Sequence, residues 1–471
     1  MLNKRHQHCK KILRIYFTKA WIGRGTHMTF LTMKEAVPYI YSSLLKAKPF
    51  QSMENDAVTR APHLTKELLS CLDLIPSSEK VILVTGSKGK GSTSRMMAAI
   101  LRKMGLKVGL FTSPHLIDYN ERIRVNGKAI SDEMFLTYLN QHEPFIDKIT
   151  ASIENPQHYL GPTGILLSVA LAHFQSEATD INVIEIGRGG TYDDTNVLEN
   201  KWAVVSKVME EHLGFLGHSI EDIVRHKVGI VKDCTDHVVI GKQSEETLEL
   251  MRSLVGDTAA FFGDDFSPTL TSASLKGSTF TLQTMFERYD DLSLPLLGSF
   301  QVENAALAIQ ACETVKGRAL PSDLLKEALS ELKWPGRLEV VAENPTVVLD
   351  GSINRVSAAY LKEVLPLVNS KKVVTIIAVP TNKDYEGVIK VCSEFSDILV
   401  VTRPDNSHKM FPDNALAVAR KYHSDAMEVG LLSDAVELVR TFEPTLIFVV
   451  GTQSMIGSAK EIWKDSLMDI G

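Results

Sequence analysis

Apolar residues alternate along the chain between short continuous runs and stretches with helical spacing. Residues 81–84 are all aliphatic, which is typical of a strand buried on both faces. Further runs of this kind are at 108–111, 181–186, 203–205 and 238–240. Between them, apolar residues recur three and four positions apart, near 163–175 and 219–231. The alternation predicts a mainly parallel sheet with helices on both faces.

The second half of the chain begins with a more polar stretch, 266–297, whose pattern resembles short antiparallel strands. Two predicted helices follow between about 303 and 332, and Trp334-Pro335-Gly336 then favours a hinge. A second alternation starts beyond it. It predicts strands at 346–349, 373–378, 398–401 and 446–450, and helices near 357–365, 385–395, 415–422 and 434–441.

A glycine-rich turn follows the first strand and leads into a helix that we expect to begin near Ser92 and to end at Gly105. Glycines allow backbone N–H groups and the positive end of a helix to approach phosphate closely. Lys90 would then reach the outer phosphates, and Ser92 would lie near the accompanying magnesium ion. The alternative is a strand-to-helix turn without a catalytic role. The predicted phosphate-binding residues are Gly86, Ser87, Lys88, Gly89, Lys90, Gly91 and Ser92.

These patterns together predict the fold class and the domain division. The class is α/β, with an ATPase domain built on a phosphate-binding loop and a mainly parallel sheet, followed by a smaller Rossmann-like α/β domain. We place the first domain at residues 28–333 and the second at 338–471.

Composition is that of an ordinary globular chain. Of its 471 residues, 44% are hydrophobic and 23% charged, and the net charge of −6 gives no basic excess that would indicate nucleic acid binding. No apolar run reaches the roughly 18 residues needed to span a membrane. The five scattered cysteines have no metal-binding spacing and are typical of reduced thiols, so we expect a cytoplasmic protein.

Residues 1–27 form a basic leader. They contain seven lysines and arginines, and the first acidic residue of the chain is Glu35. A targeting peptide or a surface-binding arm is one interpretation. The other, which we prefer, is a disordered leader with the working chain starting at Met28.

Two further motifs follow predicted strands of the first domain. Thr112-Ser113-Pro114-His115-Leu116 comes directly after one, and loops leaving the carboxyl ends of parallel strands form the ligand crevice. Glu185 closes another apolar strand, where its carboxylate must be paired, protonated or bound to a cation. Magnesium is the natural partner beside a phosphate loop, and a structural ion pair is the alternative.

Lys227 falls on the apolar stripe of the helix predicted at 219–231. Burial would depress its pKa, and a neutral amine could take up CO₂ to form a carbamate, which is an additional anionic metal ligand. The alternative is a lysine whose stem packs while its ammonium group extends to water.

The chain resembles the folylpolyglutamate synthase and dihydrofolate synthase family, a branch of the Mur ligase superfamily. The resemblance is carried, in order, by residues 84–92, 112–127, 185–196, 212–232, 301–305 and 335–339. It implies an ATP-dependent amide ligase: ATP phosphorylates a substrate carboxylate, and the amine of an amino acid, glutamate in the family, displaces the phosphate. Such chemistry needs positioning and charge neutralisation more than covalent help from the protein.

The resemblance also implies roles for individual residues. Ser113 and Glu185 would hold one magnesium ion, and Glu185, His212 and carbamylated Lys227 would hold a second. Lys90, His212 and Lys227 would be the catalytic residues. ATP would also contact Asn304, Arg337 and Asp350, with the second domain closing over the nucleotide. A monomer is implied.

The chain departs from the family pattern at several positions. Asp350-Gly351-Ser352-Ile353-Asn354-Arg355 stands where the family has Asp-Gly-Ala-His-Asn-Pro, and isoleucine cannot donate a hydrogen bond near phosphate. Arg355, or Arg188 in place of the usual leucine, is a candidate for the missing charge. Thr191, Lys88 and Thr163-Gly164-Ile165 also differ from the family.

Three hypotheses therefore stay open. The leading one is a ligase that adds glutamate to a folate or a related pteroyl substrate. The second is a Mur-type ligase that joins an amino acid to a non-folate carboxylic acid. The third is a degenerate nucleotide-binding protein, for which Ile353 is the main argument. In the first two, the partners are a small-molecule carboxylate and an amino acid.

Overall fold

The computed structural model describes residues 29–51, 55–256, 259–405, 410–463 and 467–471. The chain divides into two compact units. Of the described residues, unit 1 comprises those up to 113 together with 122–266 and 307–320, and unit 2 comprises 114–121, 267–306 and those from 321 onward. The basic leader, 1–27, lies outside the described residues.

Unit 1 is built on an eight-stranded sheet in the order β4-β3-β2-β5-β1-β6-β7-β8. Strands β2, β5, β1, β6, β7 and β8 are parallel, and β3 and β4 continue the edge as antiparallel strands. Their bounds are β1 Val81–Thr85, β2 Val108–Phe111, β3 Ile123–Val125, β4 Lys128–Ala129, β5 Ile181–Glu185, β6 Trp202–Val205, β7 His237–Ile240 and β8 Ala259–Phe261. Strands β1, β2, β5 and β6 are buried throughout, as their mainly apolar sequences predict, and β5 also buries the polar side chains of Asn182 and Glu185.

The helices of this half of the chain have caps that are visible in the sequence. Thr32 and Ser219 each begin a helix with a reciprocal capping box, and Ser131 and Ser244 accept one N–H each from the first turn. The bounds are α1 Met33–Ala47, α2 Asp56–Thr59, α3 Pro62–Cys71, α4 Lys90–Lys103, α5 Asp132–Ala151, α6 Pro162–Ser176, α7 Ile220–Val228 and α8 Glu245–Val255.

Unit 2 contains two sheets. Strands β9 Ser267–Ser274, β10 Gly277–Gln283 and β11 Arg288–Leu294 form an antiparallel meander. The second sheet has the order β12-β13-β17-β14-β15-β16 and is parallel except for the edge strand β12. Its bounds are β12 Glu339–Glu343, β13 Thr346–Asp350, β14 Val373–Ala378, β15 Ile398–Val401, β16 Ala426–Glu428 and β17 Leu446–Gly451.

Apolar clusters cover both faces of this six-stranded sheet. One is centred on Val348, Phe448 and Val388, the other on Leu349, Val449 and Ile456. Alternate residues of β13 and β17 thus point to opposite clusters, as the period of a strand requires. The helices are α9 Ser299–Lys316, α10 Ser322–Ser330, α11 Arg355–Ala358, α12 Tyr385–Ser393, α13 Ala415–Tyr422, α14 Leu432–Arg440 and α15 Gln453–Ile462.

The predicted fold class is confirmed: a large, mostly parallel sheet and a second, smaller α/β sheet, with antiparallel strands in 267–294. One predicted helix, 357–365, is wrong in its extent. The α-helix covers only Arg355–Ala358 and continues as 3₁₀ turns at 359–363 and 365–367. Pro366 lies in the second of these turns, where it has no N–H group to donate to an α-helical carbonyl.

The two compact units do not coincide with the predicted division at 333–338. Residues 267–306 belong to unit 2, and 307–320 to unit 1. The hinge at Trp334-Pro335-Gly336 and the domain ranges 28–333 and 338–471 stay predictions.

The cysteines among the described residues are free thiols, as their spacing in the sequence predicts. Cys71, Cys312 and Cys392 are buried free thiols, and Cys234 is half-buried and also free.

Among the described residues, no helix is both long and apolar enough to cross a membrane.

A buried lysine fixes the turn that carries Arg337 in unit 2. Lys460, on α15, is completely buried, and its Nζ donates to Oε1 of Glu339 over 2.6 Å. The other carboxylate oxygen of Glu339 accepts the N–H of Gly336 over 2.8 Å, and Oδ2 of Asp350 accepts that of Leu338 over 2.9 Å. Two carboxylates therefore hold the backbone on either side of Arg337.

We expect Lys460→Met to destabilise unit 2 by about 2 kcal/mol, because it leaves the carboxylate of Glu339 without its buried partner. Thermal unfolding followed by intrinsic fluorescence measures the effect. The double variant Lys460→Met, Glu339→Gln removes both charges and should recover part of the loss. Glu461→Gln, at an exposed position of the same helix, is the control. Equal midpoints for Lys460→Met and Glu461→Gln would contradict the prediction.

Candidate active site

The loop after β1 has the geometry of a phosphate-binding turn. Gly86 has φ +141° and Gly89 has φ +91°, and a Cβ on Gly86 would overlap the hydroxyl and carbonyl of Ser206. The N–H groups of Ser87 and Lys88 donate to the carbonyl of Lys207 over 2.8 and 3.1 Å. The loop is therefore fixed against the end of β6, and only glycine fits at position 86.

The helix after this loop, α4, begins at Lys90 rather than near Ser92. Lys90, Gly91 and Ser92 are thus its first turn, where backbone N–H groups lack partners within the helix and the helix dipole is positive. Because the helix starts about two residues earlier than predicted, Lys90 and Gly91 belong to its N-terminal turn instead of preceding it. Nζ of Lys90 donates to the carbonyl of Gly86 over 2.7 Å.

Lys227 is directed at the same carbonyl. Its side chain is fully buried, and its Nζ donates to the oxygen of Gly86 over 2.8 Å and to Oε1 of Glu211 over 2.7 Å. Burial, helped by the charge of Lys90, lowers the pKa of Lys227 to about 8. The alternative, an ammonium group that extends to water, is wrong, because the Lys227 side chain is fully buried and its Nζ contacts the phosphate loop.

Glu211 is a site residue that the sequence reasoning missed. Burial opposes its ionisation, but the positive charges of Lys227 and Lys90 outweigh this and hold the pKa of Glu211 below its usual value. Two consecutive carboxylates, Glu210 and Glu211, directly before His212 were a signal that could have found it. His212 itself has φ +49°, an uncommon conformation for a residue other than glycine.

Glu185 lies at the carboxyl end of β5, beside β1 in the sheet, where it pairs with Val84. Its side chain is buried, and Oε2 accepts the N–H of Ser113 over 2.9 Å. The structure therefore brings Ser113 and Glu185 together at the end of the sheet where the phosphate loop begins. The motif at 112–116 and the carboxylate at 185 meet because β2 and β5 are neighbouring parallel strands.

The chemistry of these donors fits magnesium. Carboxylate and hydroxyl oxygens are the ligands that the ion prefers, and it needs only one or two of them when phosphate oxygens and water complete its shell. Among the described residues, no group of three or more His, Cys, Asp and Glu side chains is arranged to hold a metal ion alone. A site completed by substrate phosphates is consistent with both observations.

The remaining predicted nucleotide residues lie in unit 2. Asn304 is nearly buried and donates to Oε1 of Gln301 over 3.1 Å. A guanidinium nitrogen of Arg337 donates to the carbonyl of Gly336 over 2.9 Å. Asp350 is buried at the end of β13, where it accepts hydrogen bonds from the N–H of Leu338 and from the hydroxyl of Ser352.

Comparison with known proteins identifies the family. Residues 84–312 match the description "Mur ligase middle domain". The dihydrofolate synthase/folylpolyglutamate synthase of Bacillus subtilis is 32% identical over 343 residues, which are 69% of this chain and 76% of that protein. The chain belongs to the dihydrofolate synthase/folylpolyglutamate synthase family.

Other members of the dihydrofolate synthase/folylpolyglutamate synthase family agree. The folylpolyglutamate synthase of Lacticaseibacillus casei is 30% identical over 346 residues, covering 72% of this chain and 80% of that protein. The folylpolyglutamate synthase of Mycobacterium tuberculosis, solved as a complex with ADP, has a TM-score of 0.80 at 25% identity. The match covers 91% of this chain and 99% of that chain. The predicted family is confirmed.

We expect Gly86→Ala to weaken ADP binding at least about tenfold and to lower the thermal midpoint, because the added methyl group displaces the loop from Ser206. Isothermal titration with ADP and thermal unfolding measure both effects. Gly105→Ala is the matched control: Gly105 also has a positive φ, +86°, but its Cβ would meet no atom within 4 Å. Similar ADP affinities for the two variants would show that the loop tolerates the methyl group.

Proposed function

We propose that this protein adds glutamate to a carboxylate of a folate-type substrate, with cleavage of ATP to ADP and phosphate. Membership of the family makes it an ATP-dependent ligase that forms C–N bonds. The observation that carries the proposal is the convergence of Lys90 and Lys227 on the carbonyl of Gly86, at the end of the sheet that also holds Glu185 and Ser113.

The phosphate loop binds and orients the nucleotide. The backbone N–H groups in the first turn of α4 and the positive end of that helix face the phosphates, and Lys90 exchanges the carbonyl of Gly86 for a phosphate oxygen. The substrate carboxylate attacks the terminal phosphorus, and the bond to the bridging oxygen of ADP breaks. The amine of glutamate then attacks the acyl carbon, phosphate leaves with the electron pair, and the amine loses a proton.

Magnesium completes the charge balance of this site. We assign one ion to Ser113 and Glu185, and a second to Glu185, His212 and carbamylated Lys227. When bound, magnesium neutralises the charge that develops on the transferred phosphoryl group. Lys90 and the N-terminus of α4 supply the protein's own positive charge to the same oxygens.

Carbamylation of Lys227 is consistent with its surroundings. The lone pair of a neutral Nζ forms a bond to the carbon of CO₂, and the amine proton leaves to solvent through Glu211. Because burial lowers the pKa of Lys227 to about 8, the neutral amine becomes the main form as pH rises past that value. A carbamate on Lys227 would be a buried anion, and the nearby positive charge of Lys90 would favour it.

We also assign a role in ATP binding to three residues of unit 2. Asn304, Arg337 and Asp350 bind ATP, and the carboxylates around Arg337 hold the turn that presents it. Ile353 does not supply the histidine found in the family, so substrate turnover decides between a folate ligase and a ligase for another carboxylic acid. A monomer stays a prediction.

The test is ADP release by the purified protein with magnesium, ATP and glutamate, with and without dihydropteroate or tetrahydrofolate. We expect release that depends on the pterin substrate and a product heavier by one glutamate, read by mass spectrometry. ADP binding without turnover of either pterin would overturn the folate assignment and direct the search to other acids. Absence of ADP binding would instead overturn the assignment of the nucleotide site itself.

We expect Lys227→Ala to reduce amide formation by at least about a thousandfold, because it removes the carbamate that completes the metal site. Added formate or acetate should restore part of the rate by occupying the place of the missing carboxylate. Turnover measured as ADP release, with and without these acids, gives the result.

Lys232→Ala is the matched control for this variant. Lys232 is also largely buried with a pKa lowered to about 8, but its Nζ donates to the carbonyl of Leu198, not to the phosphate loop. It should keep its turnover and show no response to formate or acetate. Full activity of Lys227→Ala would exclude the carbamate.

A further inference from the structure

Arg188 connects the two loops to which the proposed metal ligands belong. It lies three residues after Glu185, and its guanidinium carbon is 4.3 Å from the centre of the Phe215 ring. Phe215 lies three residues after His212. A cation stacked on an aromatic ring contributes about 0.5 to 2 kcal/mol, more when the pair is shielded from water. The contact therefore joins the Glu185 loop to the His212 loop.

A buried aspartate fixes the guanidinium in this position. Nε of Arg188 donates to Oδ2 of Asp56 over 3.0 Å, and a second guanidinium nitrogen pairs with Oδ1. The backbone N–H of Asp56 donates in turn to the carbonyl of Phe215 over 2.9 Å. Asp56, Arg188 and Phe215 thus form a triangle in which each residue contacts the other two. An arginine that donates two hydrogen bonds to one carboxylate has a more strongly fixed orientation than other ion pairs.

Movement of Phe215 would be transmitted to His212 through a tight turn. The N–H groups of Phe215 and Leu216 both donate to the carbonyl of His212, over 3.0 and 3.1 Å. His212 has a positive φ, which costs free energy and persists only where the surroundings hold it. On one side Glu211 is held by Lys227, and on the other Phe215 is held by Arg188 and Asp56.

Removal of Arg188 should leave the fold intact. Asp56 has a second cationic neighbour, since Nε of Arg60 is 3.6 Å from its Oδ1. The loop after Glu185 keeps other bonds: the N–H of Arg188 donates to Asp193 over 3.1 Å, and the hydroxyl of Thr85 donates to the carbonyl of Gly189 over 2.6 Å. Arg188 adds to these bonds a contact with the ring of Phe215, beside the close packing of Gly189 on Leu216.

We propose that Arg188 is a positioning residue that sets the spacing of Glu185 and His212, and thereby the affinity of the site for divalent metal. The inference rests on the proposed function, which assigns both residues to the metal. Its side chain is three-quarters buried and engaged by Asp56, so it acts through the geometry of the loops rather than by supplying the charge of the missing histidine.

The test measures metal binding directly as well as activity. Manganese titration of the protein with ADP, followed by electron paramagnetic resonance, gives the dissociation constant for the metal. We expect Arg188→Met to raise it about tenfold or more, as for other residues that orient metal ligands. Turnover at saturating magnesium should fall much less, and the thermal midpoint should change little.

Two further variants separate positioning from a general loss of structure. Arg188→Lys keeps the charge over Phe215 and should recover part of the metal affinity. The double variant Asp56→Asn, Arg188→Met should bind manganese no more weakly than Arg188→Met alone, because the loss of Arg188 has already removed its contacts with Asp56 and Phe215. Arg225→Met is the control: Arg225 pairs with Glu221 on the exposed face of α7, over 2.8 Å, and contacts neither loop.

The outcomes distinguish this inference from the proposed function. Wild-type protein that binds manganese and turns over, with an unchanged dissociation constant in Arg188→Met, overturns the role of Arg188 alone. Wild-type protein that binds ADP but no manganese overturns the metal assignment itself. Equal losses in Arg188→Met and Arg225→Met would show a nonspecific effect and would also reject the proposal.

Discussion

Two ammonium groups share the carbonyl oxygen of Gly86, and the geometry of unit 1 depends on this interaction. Lys90 approaches from the first turn of α4 and Lys227 from α7, 141 residues away from Gly86 along the chain. A carbonyl has two lone pairs, so both bonds can be made at once. The oxygen therefore fixes the relative position of the loop and two helices, with Glu211 balancing the charge beside them.

Each further charged group at the site is held by a partner from another segment. The carboxylate of Glu185 accepts from Ser113 and that of Asp56 accepts from Arg188, and in unit 2 the carboxylate of Glu339 accepts from Lys460. Burial makes an unpaired charge costly, so these pairs specify one arrangement of the loops more strongly than apolar contacts would.

Sequence patterns predicted most of the parallel strands but not the long-range pairs, and they gave no prediction for α5, α8, α15, β8 or β16. The parallel strands could be predicted because a strand buried on both faces is aliphatic throughout, and β2, β14, β15 and α13 have the predicted bounds. Spacing could place Lys227 on an apolar stripe, but it could not decide whether the ammonium group reaches water, because that depends on what covers the helix. Asp56 and Arg188 pair across 132 residues of the chain, and no periodic pattern in the sequence indicates a contact over that separation.

The route of the chain between the two units constrains how the protein is made. Unit 1 receives residues up to 113, then 122–266, and is completed only by 307–320, while 114–121 belongs to unit 2 with the C-terminal half. During synthesis, unit 1 therefore lacks its part of α9, residues 307–316, until residue 320 has emerged. The segment 114–121 emerges long before the other residues of unit 2. Apolar surface that stays exposed during this interval favours association with other chains, so unit 1 is open to such contacts until its last segment has been made.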